Sequence, residues 1–135
     1  MLSEIIFRRF AAVGALMLAL SALASAEAIR GTLVPPADGE KLQLALAGGG
    51  TVDLELLDEG LELTMRDPQL AKRLWELRGE HQDGGRFAVE KIFTVKDGEL
   101  HRVTYYCEIC HITTHEPGLC MCCQGDTDLR ELLGE

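Results

Sequence analysis

The sequence predicts a small, mainly β protein: short strands closed into a barrel or sandwich, one short helix, and a cysteine-rich metal knuckle near the C-terminus. Three observations predict it. Apolar and polar residues alternate over short runs, as in Leu42-Gln43-Leu44 and Val52-Asp53-Leu54-Glu55-Leu56, which is the period of a half-buried strand. Glycine-containing breaks separate the runs at Gly48-Gly49-Gly50, Gly84-Gly85 and Asp97-Gly98. All five cysteines lie between Cys107 and Cys123, together with two of the four histidines.

Residues 1–26 read as an export signal. Arg8 and Arg9 form a basic start, 11–24 is an almost unbroken apolar run, and Ala24-Ser25-Ala26 is a small-x-small cleavage site. The run is shorter than the roughly 20 residues a membrane span needs. An uncleaved N-terminal anchor is the alternative. The expectation is therefore a periplasmic or secreted protein with no membrane span after signal cleavage. The chain of 135 residues has a formal net charge of −9 at pH 7. Loss of Arg8 and Arg9 against one acid, Glu4, leaves the remainder more acidic still. Such a surface repels phosphate backbones, and no basic cluster offsets it, so nucleic-acid binding is excluded.

After the signal, 29–34 is the first candidate strand, stopped by Pro35-Pro36 and the Asp38-Gly39 turn. The runs at 42–46 and 52–56 form a hairpin around the three glycines. The one helix is expected after Asp67, which can cap it, with Pro68 at the first helical position and Leu70 and Leu74 one turn apart. Trp75 and Leu77 open a fourth strand, with Trp75 in the core, and Phe87 and Val89 a fifth. The fifth changes phase near Ile92-Phe93, as a bulge would make it do. Asp97-Gly98 is a hairpin turn leading to His101, Val103 and Tyr105. Beyond the cysteines, 126–133 is expected to make a closing helical turn or two.

This order of elements over 28–104 resembles the oligonucleotide/oligosaccharide-binding (OB) barrel, which carries a short helix between its third and fourth strands. The resemblance implies an OB-like β-barrel body at 27–104, with 105–135 as a metal-binding knuckle and tail packed on it. The ligands of that fold are not carried over, because the chain is acidic and poor in aromatic residues.

The cysteines form two steps, Cys107-x-x-Cys110 and Cys120-x-x-Cys123, nine residues apart. Each step lets a tight turn aim two sulfurs at one point, and a hairpin can bring both turns around one tetrahedral ion. The first reading is thus a four-cysteine zinc site of Cys107, Cys110, Cys120 and Cys123, with Cys122 competing for the fourth place. Gly118 and Gly125 are expected to supply the positive φ of the knuckle turns. The pattern resembles the zinc-ribbon class. The second reading is a single c-type haem on Cys107-x-x-Cys110-His111, with Met121 or His115 as distal ligand. The third is a copper-binding or copper-delivery site using the soft run Cys120-Met121-Cys122-Cys123 with His111 and His115, which lie four apart. The fourth is disulfide staples, which an odd cysteine count fits poorly. His101 is a packed edge residue or an outer partner of the site, and His81 a solvated loop residue.

The ending Cys107, Cys110, Pro117, Gly118, Cys120, Cys122, Cys123 is similar to that of exported bacterial proteins of uncharacterised role. That resemblance implies an extracytoplasmic metal-binding protein. No Ser-His-Asp order, phosphate loop or HExxH occurs, so no enzyme is assigned. The expected partners are a metal ion and an unidentified protein.

Overall fold

The computed structural model describes residues 26–135. The export signal expected over 1–26 lies outside the described residues except for Ala26. Eight strands make up half of what is described: β1 Glu27–Leu33, β2 Gln43–Leu46, β3 Thr51–Leu56, β4 Leu74–Gln82, β5 Arg86–Lys96, β6 Glu99–Cys107, β7 Ile112–Thr114 and β8 Asp128–Leu133.

The first five close a ring. β1 pairs antiparallel with β2 and with β4, β2 with β3, and β4 with β5, while β3 pairs parallel with β5. Closure leaves no free edge among these five and encloses Leu44, Val52, Leu54, Trp75, Leu77, Phe87 and Val89. Trp75 is fully buried, as its place in the alternation predicts. A five-stranded ring with its helix between the third and fourth strands is the arrangement that the element order predicts.

The helix itself lies upstream of the expected one. α1 is Glu59–Met65, capped by Asp58, whose carboxylate accepts from the N–H groups of Gly60 and Leu61. Glu59 and Glu62 in its first turn suit the helix dipole. The segment after Asp67 makes only the 3-10 turn Pro68–Leu70. Asp67 does cap that turn through the Gln69 N–H, so the start signal is genuine but no apolar face follows it. Leu74 instead begins β4.

The bulge falls at Glu90, two residues before the expected place. Arg78 pairs with Lys91 and Gly79 with Val89, leaving Glu90 unpaired. The change of phase beyond it turns Ile92 to the core and Phe93 to the opposite face, where it is buried under the Arg78 guanidinium. Gly79 is required here, since a Cβ would stand 1.8 Å from the Ala88 carbonyl oxygen.

β6 carries the chain from the barrel to the cysteines. The Asp97-Gly98 turn has both residues at positive φ, the form that matches strand twist. β5 pairs with β6 at Glu99, Leu100 and His101, and β7 takes the same edge at Tyr105, Tyr106 and Cys107. The other edge belongs to β8. The tail is therefore a strand and not the expected helical turns: the exposed edge of β6 supplies a ladder that a six-residue helix could not match. Leu129 faces the core, and Glu131 on the same face bonds Arg73 with both oxygens at 3.0 Å.

Candidate metal centre

β6 is anchored two residues before its first cysteine. Tyr105 is buried, and its hydroxyl donates to Asp67 Oδ2 at 2.7 Å. Burial and this bond push the phenol pKa well above its usual value. Asp67 thus caps the 3-10 turn with one oxygen and holds β6 with the other. A second tie joins α1 to the loop after β7, where the Thr64 hydroxyl donates to the His115 carbonyl.

Cys107 ends β6, and the chain turns so that Ile112 pairs back across from it. The turn is closed by the His111 N–H bonding the Cys107 carbonyl at 2.8 Å, with His111 at φ 55°. The Cys107 sulfur accepts the N–H of Cys110 at 3.4 Å and that of Ile109. Cys120 opens a second turn of the same construction. The Gln124 N–H bonds the Cys120 carbonyl at 2.9 Å, and Gln124 has φ 59°. The Thr127 hydroxyl, donating to the Gly118 carbonyl, and the Cys120 N–H, donating to the Gly125 carbonyl, hold this second turn in place.

The two turns face each other. The sulfurs of Cys107, Cys110, Cys120 and Cys123 all lie within 4.8 Å of one another, and Cys107 and Cys123 are 3.6 Å apart. Four thiolates around zinc at about 2.3 Å stand about 3.8 Å from each other, so the spacing suits a tetrahedral ion. Cys107 and Cys120, at the roots of the turns, are buried, Cys110 is half-buried and Cys123 is exposed. This is a four-cysteine cluster compatible with a metal ion such as zinc.

The electrostatics ask for a cation. Cys120 has its pKa lowered to about 7, first by the Cys123 N–H and then by that of Cys122. Cys110 is pushed up, most by the Cys122 thiol, then by Cys123 and by burial. Cys107 is also raised: the Cys110 N–H pulls it down, but burial and the Cys123 and Cys120 thiols outweigh that pull. One thiolate is easily made, and further negative charge beside it needs a positive ion.

The remaining candidates fall outside the cluster. Cys122 is exposed, as are Met121 and His115. His111 Nδ1 is 2.8 Å from the Tyr106 hydroxyl, and the Arg130 guanidinium covers the Tyr106 ring at 3.7 Å while pairing with Glu108. His101 lies six residues up β6 from Cys107, about 20 Å along a strand, and bonds the Glu99 carbonyl. His81 lies in β4 and not in the expected loop; it is exposed, as expected, and edge-on to Phe87. The Cys107-x-x-Cys110-His111 segment is a turn between two strands and opens no helix.

The positive φ of the knuckles sits at His111 and Gln124 and not at Gly125, while Gly118, at φ 135°, belongs to the loop before the second turn. Gly125 answers a different need: its N–H bonds the Cys123 sulfur, and a Cβ there would come within 3.2 Å of that atom. Sequence reasoning missed the Tyr105–Asp67 bond and the Tyr106–Arg130–Glu108 stack, which join residues far apart in the chain. Compared with known proteins, the chain matches no family model, no curated protein and no solved structure. Its function must be argued from its own residues.

Proposed function

We propose that this is an exported, non-enzymatic metal-binding protein, acting in the periplasm or outside the cell. Its knuckles would hold one zinc ion through Cys107, Cys110, Cys120 and Cys123. The observation that carries the reading is the pair of matched turns, each with a buried sulfur at its root and a left-handed residue after its second cysteine, which bring four sulfurs within 4.8 Å of one another. Backbone N–H groups aimed at sulfur stabilise the thiolate, the form a cation binds.

The bound ion would cross-link the end of β6 to the second turn. Only the three-residue β7 and a few hydrogen bonds otherwise hold residues 115–127, so the ion's binding energy becomes folding energy for that segment. The rigid result is a surface for a protein partner, beside Ile109, Leu119 and Met121, all more than half exposed. Elemental analysis and X-ray absorption on the chain purified after export test this. One zinc per chain with four sulfur neighbours is expected. A Soret band from covalent haem, or copper in place of zinc at equal supply, would replace this reading with the haem or copper alternative.

A further inference from the structure

The wall between β5 and β6 has an opening away from the cysteines. β5 gives one edge to β4, and the other to β3 at 86–89 and to β6 at 94–96. Between those two stretches, 90–93 has no strand on that edge. The facing edge of β6 is likewise unclaimed at 102–104, between its pairing with β5 and its pairing with β7. The gap forms a cleft of about 370 Å³, within the range of small-molecule sites. Leu61, Ile92, Phe93 and Val103 give it apolar walls, and Arg78, Lys91 and Arg102 line it as well. Three cations meet here although the chain has 22 acidic residues against 13 basic. Glu90 stands on the same rim. Among the described residues, Lys91 and Arg102 form no salt bridge. Arg78 lies 4.9 Å over the Phe93 ring and bonds two carboxylates, the buried Glu76 and, at 2.5 Å, Glu135. Glu135 reaches the cleft from beyond β8, after Gly134 at φ 109°. Its side chain is 63 % exposed, and Arg78 is its one salt-bridge partner among the described residues.

We propose that this cleft binds a small carboxylate carried on an apolar tail, and that Glu135 holds the carboxylate's place until the ligand displaces it. The ligand's charged end takes the N–H groups of Arg78 that Glu135 now occupies, and a guanidinium suits a carboxylate because it can donate two parallel bonds. Glu76 keeps Arg78 in position throughout, so the site is built before the ligand arrives. Lys91 and Arg102 add positive charge without having to break a pair of their own. The apolar tail lies along Phe93 and Val103, both buried at the cleft wall. No covalent bond changes. The exposed Glu135 side chain is a weak competitor, because a surface ion pair contributes little. The site belongs to the barrel and stands whether or not the cysteines hold an ion.

The test titrates octanoate into the chain purified after export, by calorimetry and by amide NMR shifts. Acetate (the charge without the tail) and octanol (the tail without the charge) serve as controls. Wild type is compared with Glu135→Gln and with the double variant Lys91→Gln, Arg102→Gln. Arg78 is left unchanged because it also holds the buried Glu76. One octanoate per chain is expected, with shifts centred on 90–93 and 102–104 and with both controls binding more weakly. Glu135→Gln removes the competitor and should bind about tenfold more tightly, as expected when a blocked form outweighs the open one about ten to one. The double variant should bind about fivefold more weakly, the scale of exposed charge pairs. Failure of octanoate to bind even Glu135→Gln overturns the proposal. So does octanol binding as tightly as octanoate, or equal octanoate affinity in wild type and Glu135→Gln.

Discussion

Replacing Tyr105 with Phe removes one oxygen from the buried joint between the barrel and the strand that ends in Cys107. Phe fills the same volume, so no cavity opens and the cost is that of the hydrogen bond. Asp67 is 7 % exposed and keeps its bond from the Gln69 N–H, but its Oδ2 loses a 2.7 Å donor at the floor of a surface cleft. A hydrogen bond to a charged group contributes about 1.5–3 kcal/mol, and a stranded buried acceptor costs a similar amount. The expected destabilisation is about 2 kcal/mol, which for a domain of this size lowers the midpoint of thermal unfolding by about 8 °C. Urea unfolding at saturating zinc, with wild type and Tyr105→Phe side by side, reads it as a lower midpoint at unchanged slope. Zinc affinity should stay within about twofold, because Tyr105 touches no cysteine and the fold remains. A loss below about 0.5 kcal/mol, within ordinary surface-mutation scatter, would refute the view that this joint anchors β6.

Three further outcomes follow from the same geometry. Gly79→Ala forces a Cβ onto the Ala88 carbonyl at the bulge and should cost about 1–3 kcal/mol, read by the same urea titration. At Glu131, burial alone would raise the carboxyl pKa, but hydrogen bonds from Arg73 and Lys96 outweigh it and hold it below its ordinary 4.5. The ion pairs therefore stabilise the fold above that ordinary value, and the contribution disappears as pH falls through the lower folded value. Glu131→Gln should remove about 1 kcal/mol at pH 7, a small figure because Arg73 is partly exposed, and should flatten the stability profile below pH 5. His111→Ala should keep bound zinc, since its ring faces Tyr106 and not the sulfurs, whereas Cys123→Ser should release it. Metal content after gel filtration separates these two.

The barrel is readable in the sequence because its signals are local. Alternation at 42–46 and 52–56, the glycine breaks and Asp97-Gly98 each state a strand or a turn within a few residues. Pattern alone misplaces the helix because two start signals lie nine residues apart. Asp67-Pro68 is the stronger pattern, but the weaker Asp58-Glu59-Gly60 leads into residues that the body can bury, Thr64 and Met65. The tail misleads for a related reason. Residues 128–133 fit either structure by pattern, and only the free edge of β6, a non-local fact, makes them a strand. At the cysteines the two steps are plain, but the spacing leaves Cys122 and Cys123 equivalent. What separates them is backbone conformation: the residue after Cys123 repeats the left-handed turn of the residue after Cys110, and neither His111 nor Gln124 announces that by its type.

The central claim is that four particular sulfurs share one ion while the fifth stands outside. Brief alkylation of the zinc-loaded chain with iodoacetamide, followed by peptide mass spectrometry, reads each thiol separately. Modification of Cys122 alone, spreading to Cys107, Cys110, Cys120 and Cys123 once a chelator is added, is the predicted result. Protection of Cys122 with Cys123 modified, or cysteines bonded to one another or to a porphyrin, would contradict it.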